Sequence, residues 1–236
     1  MNIFTDLVPF WVSVTFLLVI PIPIFLIARI ARQYSTANNP KRISTGILLF
    51  YLAYFSYVIF GALQGWFDEL SLPPMILQRS TLPMLLFLLL IVFNLPAFQR
   101  TLTNTPLDAL VQLHIFRLIG SFFIILTFYE TLPRTFALIA GCGDVITAVS
   151  SLWVANCIRK GNRHWKQMTI IWNTFGLLDI LLTATMAFVL TKIQIETGAP
   201  GVDILAIFPF CLIPAFAPPT IIFLHLSVYR KLFSGN

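Results

Sequence analysis

The chain has 236 residues, of which 58% are hydrophobic and 10% charged, with a mean hydropathy of +0.88. A soluble domain carries about a quarter charged residues, so an ordinary soluble domain is excluded. The apolar runs are continuous, long enough to cross a bilayer as helices, and lack the alternation of a β-barrel; the expected class is an all-α membrane protein.

The hydrophobic pattern predicts seven transmembrane helices, at residues 8–30, 44–64, 75–95, 110–129, 134–158, 168–191 and 203–229, joined by short polar connectors within one membrane domain. The first span contains Pro21 and Pro23. The extreme N-terminus lacks a basic segment and a small-residue cleavage site, so no removed signal peptide is expected. The longest connector, Arg32 to Arg42, leads into the second span, where Tyr51, Tyr54 and Tyr57 recur at three-residue spacing. On one slowly rotating helix face, these hydroxyls either line an aromatic site for an apolar ligand or bond backbone between packed helices. The third span holds Pro83, and the fourth holds His114 and Arg117. A turn at "ETLPR" leads to the fifth, whose "IAGCGDVITA" places Asp144 beside Gly141 and Gly143. Asn173 and Asp179 lie in the sixth; His225 and four prolines (Pro209, Pro214, Pro218 and Pro219) lie in the seventh. Four prolines in one helix are expected to kink or break it, freeing carbonyls that need partners.

Seven crossings place eleven of the 15 Lys and Arg residues on one side, from Arg29 and Arg32 to Arg230 and Lys231. The other side has only Arg79, Arg134 and Lys192, against Asp6, Asp68, Glu69, Glu130, Glu196 and Asp203. By the positive-inside rule the N-terminus is outside and the C-terminus cytoplasmic. This asymmetry accounts for the net charge of +6 without nucleic acid; the bilayer itself is the expected partner. Cys142, Cys157 and Cys211 all fall within spans, which argues against disulfides and a cysteine-based zinc site.

An ionisable group inside a membrane is a functional hypothesis by default. At ~1.5 Å per residue, Arg117 lies ~10 Å above the cytoplasmic end of its span, Asp179 ~16 Å, Asp144 ~21 Å and Asn173 ~7 Å. A buried cluster around Arg117, Asn173 and Asp179 is expected, with Asp144 near its outer edge and His225 as a further ligand-binding candidate. One Arg cannot neutralise both carboxylates. The cluster is therefore either a structural lock or a site whose second acid handles a proton or a polar ligand. No cofactor is expected; His114 and His225, each ~6 Å from the cytoplasmic end, admit bis-histidine haem as an alternative, although haem bundles show more histidine.

The stretches "LPPMIL" (Leu72–Leu77), "VQLHIFRLIGSFF" (Val111–Phe123), "LPRTFALIAGCGDVITA" (Leu132–Ala148), "WNTFGLLDILLTA" (Trp172–Ala184) and "LIPAFAPPTIIFLHL" (Leu212–Leu226) together resemble a widespread group of small, functionally uncharacterised bacterial integral membrane proteins. The resemblance covers about the last two-thirds of the chain. Its recurring elements correspond to Arg117, Gly120, Pro133, Phe136, Gly141, Gly143, Asp144, Asn173, Gly176, Asp179, Pro214 and His225; His114 is outside the pattern. It implies the same fold and a bacterial origin, so that the expected location is the bacterial inner membrane, and it supplies no reaction.

Three functions remain open on sequence. The first is binding or translocation of a small apolar or polar molecule, or a proton, at the polar cluster; the topology is similar to sugar transporters of three helices, a linker and three more. The second is an intramembrane enzyme using a buried acid on a lipid or isoprenoid, similar to small seven-helix terpene cyclases. The third is a structural or accessory subunit. A retinal protein is excluded by the lack of an interior Lys in the seventh span, and a G-protein-coupled receptor by its missing signature motifs.

Overall fold

A computed structural model describes residues 4–234, which contain helices and no strand; residues 1–3, part of the N-terminal segment read above, lie outside the described residues. Among these, seven helices are long and apolar enough to cross a membrane: Phe10–Tyr34, Pro40–Leu63, Leu77–Asn94, Leu107–Phe128, Arg134–Arg159, Trp165–Thr197 and Leu212–Phe233. They are called the first to seventh helices below.

Local chemistry explains most boundaries. Pro40 opens the second helix at a position where its missing N–H costs nothing, and Pro133 immediately precedes the fifth. The sixth runs to Thr197 and stops at Gly198, which takes a left-handed backbone (φ 72°). Pro21 divides the first helix into Phe10–Val19 and Pro21–Tyr34. The third helix has π-helical turns at Leu77–Thr81 and Phe87–Ile91.

Two expectations change. The seventh helix starts at Leu212, not near residue 203; residues Asp203–Ala206 form a separate 3-10 turn. Pro209 therefore precedes the helix and Pro214 sits in its first turn, leaving only Pro218 and Pro219 inside. The stretch between the third and fourth helices is no plain connector. Pro96–Asn104 is a short helix with Leu102 buried and Phe98 half-buried on one side.

The seventh helix is the most buried of the seven and packs on the sixth, the third and the second. The fifth packs on the fourth and sixth. The second helix, packed mainly on the first, is the least buried. Its outward Leu49, Leu52 and Phe60 are exposed.

The prolines inside the bundle lose their α-helical hydrogen bonds, and hydroxyls from neighbouring helices replace them. Pro218 offers no N–H to the carbonyl of Pro214, which instead accepts the Thr81 hydroxyl at 2.7 Å. Pro219 likewise frees the carbonyl of Ala215, which accepts the Tyr54 hydroxyl at 3.1 Å. Pro83 frees the carbonyl of Arg79, which accepts the Tyr57 hydroxyl at 3.0 Å. Shielded from water inside the bundle, each orphan carbonyl would be costly. Tyr54 and Tyr57 of the second helix thus stitch it to the proline-broken backbones of the seventh and third.

Candidate functional site

Arg117 sits mid-way along a 3-10 stretch of the fourth helix, His114–Gly120, and is 0% exposed. Its Nε donates to Asp144 Oδ1 at 2.7 Å and its Nη2 to Asp179 Oδ2 at 2.6 Å. Its Nη1 donates to the Gly176 carbonyl at 2.9 Å and to His225 Nε2 at 3.1 Å. A guanidinium can only donate, so His225 Nε2 is the acceptor and the ring is the Nδ1–H tautomer. That N–H meets Asn173 Oδ1 at 2.8 Å, and Asn173 Nδ2 donates to the His225 backbone carbonyl at 3.0 Å. One arginine thereby ties the fourth, fifth, sixth and seventh helices together.

All five predicted residues, Arg117, Asp144, Asn173, Asp179 and His225, thus meet in one buried network. Two details differ from expectation. Asp144 is central rather than at the edge, because both carboxylates pair with the same guanidinium. Asn173 does not touch Arg117; it reaches it through the imidazole of His225.

The glycines near these residues are small because the carboxylates occupy the space beside them. A Cβ at Gly120 would overlap the side chain of Asp144, and one at Gly143 would overlap the carboxylate of Asp179. A Cβ at Gly176 would come within 2.7 Å of His225 Cε1 and Thr147 Cγ2, and one at Gly141 within 2.7 Å of Ile124 Cγ1. Gly143 and Gly120 are therefore sockets for the acids on neighbouring helices, beyond the general use of small residues for close packing.

His114 is also 0% exposed, and neither ring nitrogen has a hydrogen-bond partner. Its ring lies 4.3 Å from that of His225, centroid to centroid, and 5.0 Å from that of Trp172. The two imidazoles are in direct contact, with no layer between them for a macrocycle, and both nitrogens of His225 are engaged by Arg117 and Asn173. As placed, the pair does not form the two-sided clamp that bis-histidine haem requires. The described residues hold no group of three or more His, Cys, Asp or Glu side chains arranged for a metal ion, and all three cysteines are free.

Two cavities lie elsewhere. One, of about 440 Å³, is walled by apolar side chains of the first, second, third, fourth and seventh helices and of the short helix Pro96–Asn104. Ile47, Phe50, Leu88 and Phe223 typify its wall; Tyr51, Thr220 and Ser227 are among its few polar members. The Tyr51 and Thr220 hydroxyls share a hydrogen bond of 3.3 Å. The other, of about 330 Å³, lies at the opposite end, beside Asp68, Glu69 and Asp203. Neither is lined by Arg117, Asp144 or Asp179. Of the tyrosines, Tyr51 lines the first cavity, while Tyr54 and Tyr57 serve freed backbone carbonyls. Sequence reading missed this cavity apart from Tyr51, because its wall is ordinary apolar residues contributed by six separate segments.

Compared with known proteins, the chain matches no curated protein and no solved structure. A family model does match, over residues 74–233, from the start of the third helix to the end of the seventh, and includes the whole polar network. The chain belongs to that family, described as a domain of unknown function (DUF8737).

Proposed function

We propose that this chain is a multi-pass membrane protein that binds a small lipidic molecule in the cavity beside Tyr51 and Thr220, with the Arg117 network as the lock that holds the surrounding bundle rigid. The observation that carries this reading is the cavity itself. Its volume of about 440 Å³ falls in the range of small-molecule sites, roughly 300–1,000 Å³. Its wall is almost wholly apolar, with a single paired hydroxyl couple part-way along, and an apolar cleft among lipid-exposed helices is better filled by a hydrocarbon chain than by water. It lies between the first two helices, outside the matched family region, and the third, fourth and seventh, inside it.

The experiment is photolabelling. The protein, reconstituted in phosphatidylcholine bilayers, is exposed to a hexadecyl probe bearing a diazirine, and the labelled peptides are mapped. Label is expected at Phe50, Leu88 and Phe223. Label confined to the outward-facing Leu49, Leu52 and Leu90 would mean the chain contacts bulk lipid only, and the reading would fall.

The reading includes an orientation with the N-terminus outside and the C-terminus cytoplasmic, in a bacterial inner membrane. Support comes from the eleven basic residues that seven crossings collect on one side. Single cysteines introduced at Gly161 and Gly198, which cap opposite ends of the bundle, should label from opposite faces of the membrane in a cysteine-free background.

A second reading, proton or solute handling at the Arg117 network, is favoured by one observation. Two carboxylates share one guanidinium, and beside them the buried His114 has no hydrogen-bond partner. Proteoliposome uptake of protons or solutes tests it; uptake unchanged by Asp144→Asn and Asp179→Asn would remove the network from any transport route.

A further inference from the structure

No Lys, Arg, His, Asp or Glu lines the apolar cavity. Its polar side chains are hydroxyls, and three of them are already committed. Thr101 donates to the Ala97 carbonyl at 2.9 Å, Thr105 to the Thr101 carbonyl at 2.7 Å and Ser227 to the Phe223 carbonyl at 2.8 Å. Tyr51 and Thr220 differ: among the described residues each hydroxyl has only the other, at 3.3 Å. Two hydroxyls carry two hydrogens, and one bond between them uses one. The second hydrogen has no acceptor. The bond itself exceeds the usual O–H···O range of about 2.5–3.0 Å, so the first hydrogen is loosely held as well. Both side chains are buried, 5% and 1% exposed, and both stand on the wall face of their helices. On the second helix the wall residues are Ile43, Gly46, Ile47, Phe50 and Tyr51, a three- and four-residue spacing that keeps one face. On the seventh they are Thr220, Phe223, Leu224 and Ser227, spaced in the same way. At ~1.5 Å per residue, Tyr51 lies about 16 Å along the second helix from Pro40, so the spare donor is set well inside the bundle.

Resting on the cavity reading above, we infer that the occupant is a neutral lipid with an uncharged oxygen acceptor, of the kind an ester or ketone carbonyl supplies, which takes the spare hydrogen of the Tyr51–Thr220 pair while its hydrocarbon lies against Phe50, Leu88 and Phe223. The absence of charge follows from the wall. An ionic group brought into a cavity with no counter-charge loses its hydration and finds nothing to replace it. The acceptor follows from the pair. A buried donor left without a partner is costly, and a plain hydrocarbon would leave it so. One hydrogen-bonding position in an otherwise apolar wall also fixes which way the molecule lies, as few well-placed polar groups do in small-molecule sites.

The test uses the full chain in nanodiscs of ether-linked phosphatidylcholine, whose chains carry no carbonyl, with native mass spectrometry counting bound probe. The probes are methyl hexadecanoate, octadecane as the hydrocarbon of matching length, and hexadecyl sulfate, which has acceptor oxygens but stays anionic. The wild-type protein should bind the ester about fivefold more tightly than octadecane, as one neutral hydrogen bond allows, and at least about tenfold more tightly than the sulfate. The double variant Tyr51→Phe, Thr220→Val keeps both shapes and removes both hydroxyls at once, so no polar group is stranded and the fold should hold. It should bind the ester no better than octadecane. Gly46→Leu fills the cavity from a wall position where an added Cβ meets nothing within 4 Å, so it should keep its fold and lose ester and octadecane alike. Equal binding of ester and octadecane to the wild-type protein, or a preference that survives the double variant, overturns the acceptor inference and leaves the cavity reading standing. Sulfate bound as tightly as the ester overturns the requirement for a neutral occupant, and the inference with it. Binding of neither ester nor octadecane, or binding that Gly46→Leu does not diminish, overturns the inference and the cavity reading together.

Discussion

The carboxylate of Asp179 fills the space that a side chain at Gly143 would take, across the contact between the fifth and sixth helices. The ion pair with Arg117 and the absence of a side chain at position 143 are thus one design: the glycine sets how closely the two helices approach, and that approach sets the reach of Arg117 to both acids. Gly120 does the same for Asp144 on the other side of the fifth helix.

Gly143→Ala should therefore destabilise the protein by about 1–3 kcal/mol, the cost of overpacking a filled site, because neither helix backbone nor a carboxylate held at 2.6 Å by Arg117 can move aside cheaply. Gly46→Ala is the control. It too is helical, but an added Cβ there meets nothing within 4 Å, so it should be neutral or gain up to about 1 kcal/mol through reduced backbone freedom. Thermal unfolding of both variants in a neutral detergent checks the contrast. Equal behaviour of the two would show that Gly143 has no special role.

Removing the guanidinium should cost more. Arg117→Met leaves two buried carboxylates facing each other without a counter-ion, and breaking a buried pair in this way costs about 3–5 kcal/mol. Asp144→Asn or Asp179→Asn alone should cost less, since each leaves one acid for one arginine and keeps the shape that fits the glycine sockets. The triple variant Arg117→Met, Asp144→Asn, Asp179→Asn should then be more stable than Arg117→Met alone. Unfolding midpoints that fall steadily from single to triple variant would contradict an electrostatic lock.

The two histidines, equally buried, should respond in opposite ways. His225→Phe strands a donor of Arg117 and the Oδ1 of Asn173, at about 1–3 kcal/mol for each polar group left unsatisfied. His114 gives both nitrogens no partner, so His114→Phe loses no hydrogen bond and should change stability by less than about 1 kcal/mol or raise it. A large loss on His114→Phe would show that this ring serves a polar partner, and would favour proton or solute handling at the network.

What could be read from the sequence follows the strength of the physical signal behind it. The cost of charge in lipid is large, so Arg117 and Asp179 could be placed together from depth along their helices, with Asp144 at the edge. Depth counted from estimated span ends set Asp144 too far from Arg117, which it in fact pairs with at 2.7 Å, and depth says nothing about azimuth, so Asn173 was expected in contact with Arg117. The long polar-free runs marked all seven helices, but prolines mark ends poorly: Pro209 was counted within the seventh helix when the chain before Leu212 is a 3-10 turn and a bend. The helix Pro96–Asn104 had a legible cue, Phe98 and Leu102 four residues apart after an initial proline, that is weak in so short a segment. The cavity had almost none, since an apolar wall shared by six segments looks in each of them like ordinary lipid-facing or core sequence.

The clearest test of the backbone repair lies at Tyr54 and Pro219. Tyr54→Phe removes the hydroxyl that the Ala215 carbonyl accepts at 3.1 Å and that also pairs with Ser80 Oγ at 2.7 Å. Pro219→Ala restores an N–H that can close the helical bond to that same carbonyl. If Tyr54 is there to satisfy the carbonyl freed by Pro219, its loss should cost about 1–2 kcal/mol in the wild-type background and distinctly less once residue 219 is alanine, the remainder belonging to Ser80. The coupling between the two substitutions, read from a double-mutant cycle of unfolding free energies, should be at least about 0.5 kcal/mol. Additive effects would mean that the tyrosine packs against the seventh helix without repairing it, and the regular spacing of Tyr51, Tyr54 and Tyr57 would then need another cause.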